Sequence, residues 1–262
     1  MPIDAIDSTV PILRIENLRK NYGGTVALQG VDITVQRGEI LGLIGPNGSG
    51  KSTLFDCCTG LQQADSGRVL LNGQDITRWK MHRIASEGKM VRTFQKTVVL
   101  GTMDVEENLV LAGQMAAFSS VLATFSMGRK AASRLRQLRE RARALIDISG
   151  LTRVAHLPAG QLSGGQQKLL QFAAALMPDP EIVLLDEPLA GINPILIEKV
   201  IESIGNANKQ LGTTFVVIEH NTDILMELSH RALVLHQGKK LAEGSPADIV
   251  ANAEVVEAYL GV

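Results

Sequence analysis

Aromatic side chains make up only 3% of the 262 residues, with one Trp and two Tyr. No basic stretch is interleaved with rings, which argues against the stacking groove of a single-strand nucleic-acid binder. A dominant charge sign is also missing. Lys and Arg number 26 against 27 Asp and Glu, leaving a net charge of −1, so the whole-chain field attracts neither nucleic acid nor anionic lipid. The only cysteines, Cys57 and Cys58, are adjacent and fit no metal-ligand spacing; packed thiols are expected rather than a disulfide. The opening MPIDAIDSTVP has no basic cluster and no apolar core, so no secretory signal is expected and the chain should stay in the cytoplasm. From Asn108 to Gly128 no side chain is charged, about the length that spans a bilayer. Asn108, Gln114, Ser119, Ser120, Thr124 and Ser126 dilute that stretch too heavily for hydrocarbon, and a partner-facing or buried helical element is expected instead. Internal repeats and low-complexity linkers are absent.

What is present is a globular composition, 45% hydrophobic and 20% charged, in a chain long enough to bury a full α/β core. The most informative stretch is GPNGSGKST, Gly45-Pro46-Asn47-Gly48-Ser49-Gly50-Lys51-Ser52-Thr53, directly after the apolar run Ile40–Ile44. A strand feeding GxxxxGK(S/T) and then a helix is a phosphate cradle, because the glycines let successive backbone N–H groups turn inward. Lys51 supplies an ammonium for β- and γ-phosphate oxygens, Ser52 a hydroxyl for Mg²⁺, and the following helix its positive dipole end.

Taken in order, Ile12–Leu18 and Val31–Val35 alternate apolar and polar residues, as half-buried antiparallel strands do. Lys20–Gly24 between them reads as a turn in which Tyr22, by spacing alone, is a packing residue. Arg68–Leu71 running into Asn72-Gly73 predicts a hairpin. Val91–Gln95 reads as a short strand ending in a lone Gln95, ordinarily a surface residue. Asp104 and Glu107 fit a capping box, and residues 129–148 an amphipathic helix with Leu135, Leu138, Ala142 and Leu145 on one face. Arg134, Arg136, Arg139, Arg141 and Arg143 flank that face, as a solvated basic surface or a contact for lipid head groups or an acidic partner.

Leu162-Ser163-Gly164-Gly165-Gln166 then opens a helix expected to run to about Met177. Small residues at a helix N-terminus leave N–H donors free, which makes a second anion site. Ile182–Leu185 is a continuous apolar run ending in Asp186-Glu187, the pattern of a buried parallel strand delivering acids to its C-terminal edge. Asp186 can hold Mg²⁺ through water, and Glu187 can orient and deprotonate an attacking water. Asn193-Pro194 caps a further helix, Thr214–Ile218 is another buried strand ending in Glu219-His220, and Ser245–Asp248 starts a late helix.

This constellation resembles the ATP-binding subunit of ABC transporters over nearly the whole chain, with LSGGQ and both Walker motifs in the family's order. The resemblance implies an α/β P-loop NTPase core with an N-terminal antiparallel β subdomain and an inserted α-helical subdomain near residues 96–180, all within one domain, 1–262. It implies that Tyr22 stacks on adenine, Gln95 joins the Mg²⁺ site and senses the permease, Glu187 is the general base and His220 contacts the γ-phosphate. Ser163, Gly164, Gly165 and Gln166 would serve the ATP of a second ATPase subunit, identical or paralogous, in a head-to-tail dimer. Membrane permease subunits and, indirectly, a solute-binding protein are the implied partners, with the chain peripheral on the inner membrane face and no nucleic acid bound.

Finer details are similar to the branched-chain amino-acid importer group: Val91–Gln95, the insertion after it, Ala190–Pro194 and the ending Val256–Gly261. Asn193 stands where many wider-family members have Asp. The Val91–Gln95 segment is also similar to that of lipid or lipopolysaccharide exporter ATPases, whereas Tyr259-Leu260-Gly261 favours the importer. A soluble ABC ATPase acting on ribosomes or DNA is disfavoured by the single nucleotide domain and the lack of a coiled-coil insertion or basic groove.

Overall fold

The computed structural model describes residues 10–93, 98–117 and 128–260. In chain order it runs β1 (Leu13–Tyr22), β2 (Thr25–Val35), β3 (Ile40–Ile44), α1 (Lys51–Cys58), β4 (Ser66–Leu71), β5 (Gln74–Asp75), α2 (Met81–Ser86) and β6 (Met90–Arg92). There follow α3 (Val105–Ala117), α4 (Gly128–Ile148), α5 (Gly164–Leu176), β7 (Ile182–Asp186), α6 (Pro194–Leu211) and β8 (Thr214–Ile218). The chain closes with α7 (Thr222–Leu228), β9 (Arg231–His236), β10 (Lys239–Gly244), α8 (Pro246–Ala251) and α9 (Ala253–Leu260).

An antiparallel sheet has the order β2-β1-β4-β5, and a larger one the order β10-β9-β3-β8-β7-β6, parallel except for its β9–β10 edge. Every residue of β3, β7 and β8 is buried. Both faces of those strands are covered, which is why they read as unbroken apolar runs instead of alternating. Along each of them the side chains divide between two cores. Val183, Leu185, Phe215 and Val217 face the core shared with α3 to α6, whereas Ile182, Leu184, Val216 and Ile218 face the core shared with α1 and the antiparallel sheet. The large sheet is thus a wall, and its C-terminal edge is where loops from both cores meet.

The β1–β2 connection is tighter than the expected Lys20–Gly24 turn. The strands continue until Tyr22 pairs with Thr25, and only Gly23 and Gly24 reverse the chain, with Gly23 at φ 57°. The Asn72-Gly73 hairpin forms as its sequence predicts, both residues at positive φ, 53° and 77°. The expected strand up to Gln95 ends at Arg92; Phe94 and Gln95 lie outside the described residues.

The capping box of α3 is present: Glu107 N–H donates to Asp104 Oδ1 at 2.8 Å, and Asp104 N–H to Glu107 Oε2 at 3.0 Å. On α4 the apolar face packs as patterned, with Ala142 and Leu145 fully buried and Leu135 and Leu138 partly so. Its basic flank is not uniformly solvated. Arg141 donates to the carbonyls of Leu176 (2.8 Å) and Met177 (3.1 Å) and pairs with Asp179, closing the C-terminus of α5. Arg143 pairs with Glu106 at 3.1 Å, while Arg134, Arg136 and Arg139 are exposed. Among the described residues no helix is long and apolar enough to cross a membrane.

Candidate nucleotide site

β3 ends at Ile44 and the chain enters the loop through three glycines at positive φ: Gly45 (156°), Gly48 (79°) and Gly50 (104°). Two of them are required by space. A Cβ at Gly45 would lie 2.2 Å from the Leu235 carbonyl oxygen, and one at Gly50 2.6 Å from that of Ala27. At Gly48 nothing lies within 4 Å, so its backbone faces open space, as a phosphate cradle needs. Gly50 is the N-cap of α1 and provides no side-chain acceptor, so the first amides of that helix keep their donors.

Lys51, 6% exposed, donates from Nζ to the carbonyls of Gly45 (2.6 Å) and Pro46 (3.1 Å), which swings the ammonium back across the loop. Burial lowers its pKa, against the pull of Glu187 and Asp186. Ser49 is buried, its N–H on the Pro46 carbonyl (3.2 Å) and its own carbonyl accepting from Gly238 N–H (2.9 Å). The β9–β10 turn therefore props the loop from behind, and Gln29 of β2 ties the same turn down by donating to the carbonyls of Gly238 and Gln237. Asn47 and Ser52 are exposed, and Pro46 and Thr53 half-buried.

Asp186, at the end of β7, accepts from Arg92 Nη2 at 2.7 Å. The same guanidinium pairs with Asp56 of α1 and is 9% exposed, so it joins the phosphate-loop helix to the acidic strand end. The other Asp186 oxygen, Oδ1, is buried without a hydrogen-bond partner among the described residues. With the Ser52 hydroxyl it offers hard oxygen donors, the type Mg²⁺ takes. No group of three or more His, Cys, Asp or Glu among the described residues could enclose a metal.

Glu187 sits at φ 49°, its N–H on the Ile218 carbonyl at 2.9 Å, and its Oε1 lies 2.8 Å from His220 Nε2. Behind it, Glu219 is 7% exposed and accepts from the N–H of Leu189 (2.6 Å) and of His220 (3.2 Å). Burial raises the Glu219 pKa, the two N–H donors oppose that, and Glu187 adds to it. Lys168 of α5 is half-buried, and burial lowers its pKa against the pull of the Glu219 and Glu187 charges.

Ser163 and Gln166 form a reciprocal cap on α5, Gln166 N–H to Ser163 Oγ at 3.3 Å and Ser163 N–H to Gln166 Oε1 at 2.9 Å. The amides of Gly164 and Gly165 precede the first intrahelical bond of α5 and, among the described residues, donate no hydrogen bond. Gly165 has a packing role as well: a Cβ there would lie 2.3 Å from Leu196 Cδ1 on α6. Among the described residues no hydrogen bond joins Ser163–Gln166 to the Gly45–Thr53 loop. Tyr22, 43% exposed, presents its ring at the end of β1 near the Lys20 ammonium, 5.2 Å from the centroid. Sequence reading gave no role to Arg92 or Glu219, although the first lies within the Val91–Gln95 segment and the second directly precedes His220.

A family model described as ABC transporter matches residues 28–190. The chain belongs to the ABC transporter ATP-binding family. As an ABC ATPase it binds nucleotide and hydrolyses ATP in a reaction coupled to transport. A second model, described as branched-chain amino acid ATP-binding cassette transporter, matches residues 239–262. Among curated relatives, this ABC ATPase is 36% identical over 251 residues to the high-affinity branched-chain amino acid transport ATP-binding protein BraF of Pseudomonas aeruginosa, covering 96% of this chain and 98% of that one. It is 38% identical over 253 residues to a probable branched-chain amino acid transport ATP-binding protein LivG of Archaeoglobus fulgidus, covering 95% of each. Of solved structures, the ADP conformation of an ATP-binding cassette of an ABC transporter superposes with a TM-score of 0.82 at 34% identity, over 97% of this chain and 100% of that one. The P-loop ABC ATPase fold expected from sequence is the fold observed.

Proposed function

We propose that this chain is the ATP-hydrolysing subunit of an importer for branched-chain amino acids or a related small polar solute, peripheral on the inner face of the cell membrane. The observation that carries the reading is the match of the C-terminal residues 239–262 to the branched-chain cassette model, on top of the ABC match upstream. In a strain lacking the chain, restored expression should recover uptake of labelled leucine, isoleucine or valine. Uptake of all three unchanged by removal would retire the solute assignment.

In this proposal the loop Gly45–Thr53 takes the triphosphate of the substrate, with Lys51 leaving the Gly45 and Pro46 carbonyls to meet the β- and γ-phosphates. Ser52 and Asp186, with Gln95, would hold Mg²⁺, which would supply positive charge against that of the triphosphate. Glu187 takes the proton of the attacking water and His220 contacts the γ-phosphate. The 2.8 Å contact between these two side chains supports their acting on one reacting group. Tyr22 stacks on adenine.

Ser163, Gly164, Gly165 and Gln166 of one protomer complete the site of its partner, so ATP bridges a head-to-tail dimer and hydrolysis removes the bridge. The amides of Gly164 and Gly165 support this, being donors without an acceptor among the described residues. Light scattering on the Glu187→Gln chain should give an ATP-dependent dimer that Ser163→Arg abolishes while ATP still binds. A monomer in saturating ATP would sink the sandwich.

The permease-facing surface is assigned to the segment from 96 to 128. Val98 (73% exposed) and Met115 (72% exposed) present apolar side chains in that segment. Photocrosslinks placed at 98 and 115 should capture a membrane subunit in mild detergent, and a solute-binding protein should copurify through it. Capture only from other faces would move the interface.

A further inference from the structure

We propose that Glu219 is a positioning residue of the hydrolytic site, a carboxylate clamp that fixes the turn after Glu187 to the backbone of His220. The inference rests on the reading of Glu187 as the general base. β7 and β8 are parallel neighbours, with Asp186 opposite Ile218, and each releases one loop at the same edge. One loop carries Glu187 and the other His220. Two side chains on separate loops keep a 2.8 Å contact only when both backbones are held in place.

Glu219 supplies that hold. Its Oε1 accepts from Leu189 N–H at 2.6 Å in a buried bond, and its Oε2 accepts from His220 N–H at 3.2 Å. One side chain thus grips the turn two residues beyond Glu187 and the second residue of the neighbouring loop, His220. The turn needs gripping because Glu187 occupies the left-handed region, φ 49°, without being Gly. Such a conformation persists only where surrounding bonds over-determine it. Glu187 N–H on the Ile218 carbonyl (2.9 Å) and Ala190 N–H on the Glu187 carbonyl (3.2 Å) are two of these bonds, and the Glu219 clamp is the third.

The chemistry demands a carboxylate. Two N–H donors converge on the two oxygens, whereas an amide accepts at one end only and turns its own donor toward the other N–H. Placing this charge at 7% exposure, near Glu187, is unfavourable in itself. The positive charge of Lys168 on α5 partly offsets it.

The test is single-turnover ATP hydrolysis by excess full-length chain, with ATP affinity measured alongside. Glu219→Gln should slow hydrolysis about tenfold or more while ATP affinity stays within about twofold, the pattern of a lost transition-state interaction. In a Glu187→Gln background the same change should alter the residual rate less than about twofold, since residues acting as a unit are not additive. Glu219→Asp, which keeps the charge and both acceptors, should retain more of the rate than Glu219→Gln. A wild-type rate in Glu219→Gln, a further tenfold loss in the double variant, or the reverse order of Asp and Gln would overturn the clamp. A wild-type rate in Glu187→Gln alone would overturn the base assignment and the clamp together, whereas a slow Glu187→Gln beside a normal Glu219→Gln removes only the clamp.

Discussion

His220 Nε2 lies 2.8 Å from Glu187 Oε1, a contact between side chains 33 positions apart. It exists because β7 and β8 run parallel in adjacent positions and end level at the sheet edge. The strand order brings a carboxylate and an imidazole together beside a phosphate loop that enters from β3, the next strand over. That edge is where ligands of open α/β sheets gather.

Glu187→Gln keeps the shape of the side chain and removes its basicity. Hydrolysis is expected to fall about 10²–10⁴-fold with ATP still bound, the usual worth of a general base. Phosphate release against calorimetric binding checks this, and unchanged turnover would take Glu187 out of the mechanism.

Lys51→Ala removes the ammonium that now rests on the Gly45 and Pro46 carbonyls. The expected result is weaker ATP binding itself, not merely slower chemistry, because in the proposed site the lost charge would face phosphates in the ground state as well as the transition state. Wild-type affinity by calorimetry would contradict the role.

Asn193 caps α6, its Oδ1 accepting from Leu196 N–H at 3.1 Å. Asn193→Ala should cost about 1 kcal/mol in denaturant unfolding, and Asn193→Asp, an equally good cap, close to nothing. Equal losses from both would show that the cap is not what the side chain contributes.

The two thiols are 4% and 2% exposed, and burial pushes Cys57 up from 9.0 to about 11 and Cys58 higher still. A raised thiol pKa keeps the unreactive protonated form, so alkylation of the native chain should be negligible near pH 8 and rise as pH approaches about 11. Mass spectrometry after iodoacetamide treatment, native against denatured, reads this directly. Rapid double labelling of the native chain at pH 8 would contradict the burial.

Several local structures follow directly from short-range chemistry. Asn72-Gly73 takes positive φ at both residues, Asp104 and Glu107 cap each other, and Ser163 and Gln166 do the same. In each case the determining residues are at most three apart, so their sequence contains the whole interaction. The same holds for β3, β7 and β8, whose unbroken apolar runs announce burial on both faces.

Arg141 illustrates the limit. By helical spacing it belongs to a basic flank, yet its guanidinium closes the end of α5 through the carbonyls of Leu176 and Met177, 35 and 36 positions away. Arg92 likewise looks like one polar residue in a short strand until the packed sheet sets it between Asp56 and Asp186.

By itself the sequence determined that a glycine-rich loop of the phosphate-cradle pattern follows β3, that acids end a buried strand, and that a second set of helix-terminal donors begins at Ser163. Tertiary structure decided which strand ends are neighbours, and therefore that Glu187 meets His220, that Arg92 bridges two motifs and that Glu219 reaches Leu189. The physical reason is range. Caps, turns and strand burial depend on residues a few positions apart, whereas a side chain's partners across a sheet depend on strand order, which no local pattern encodes.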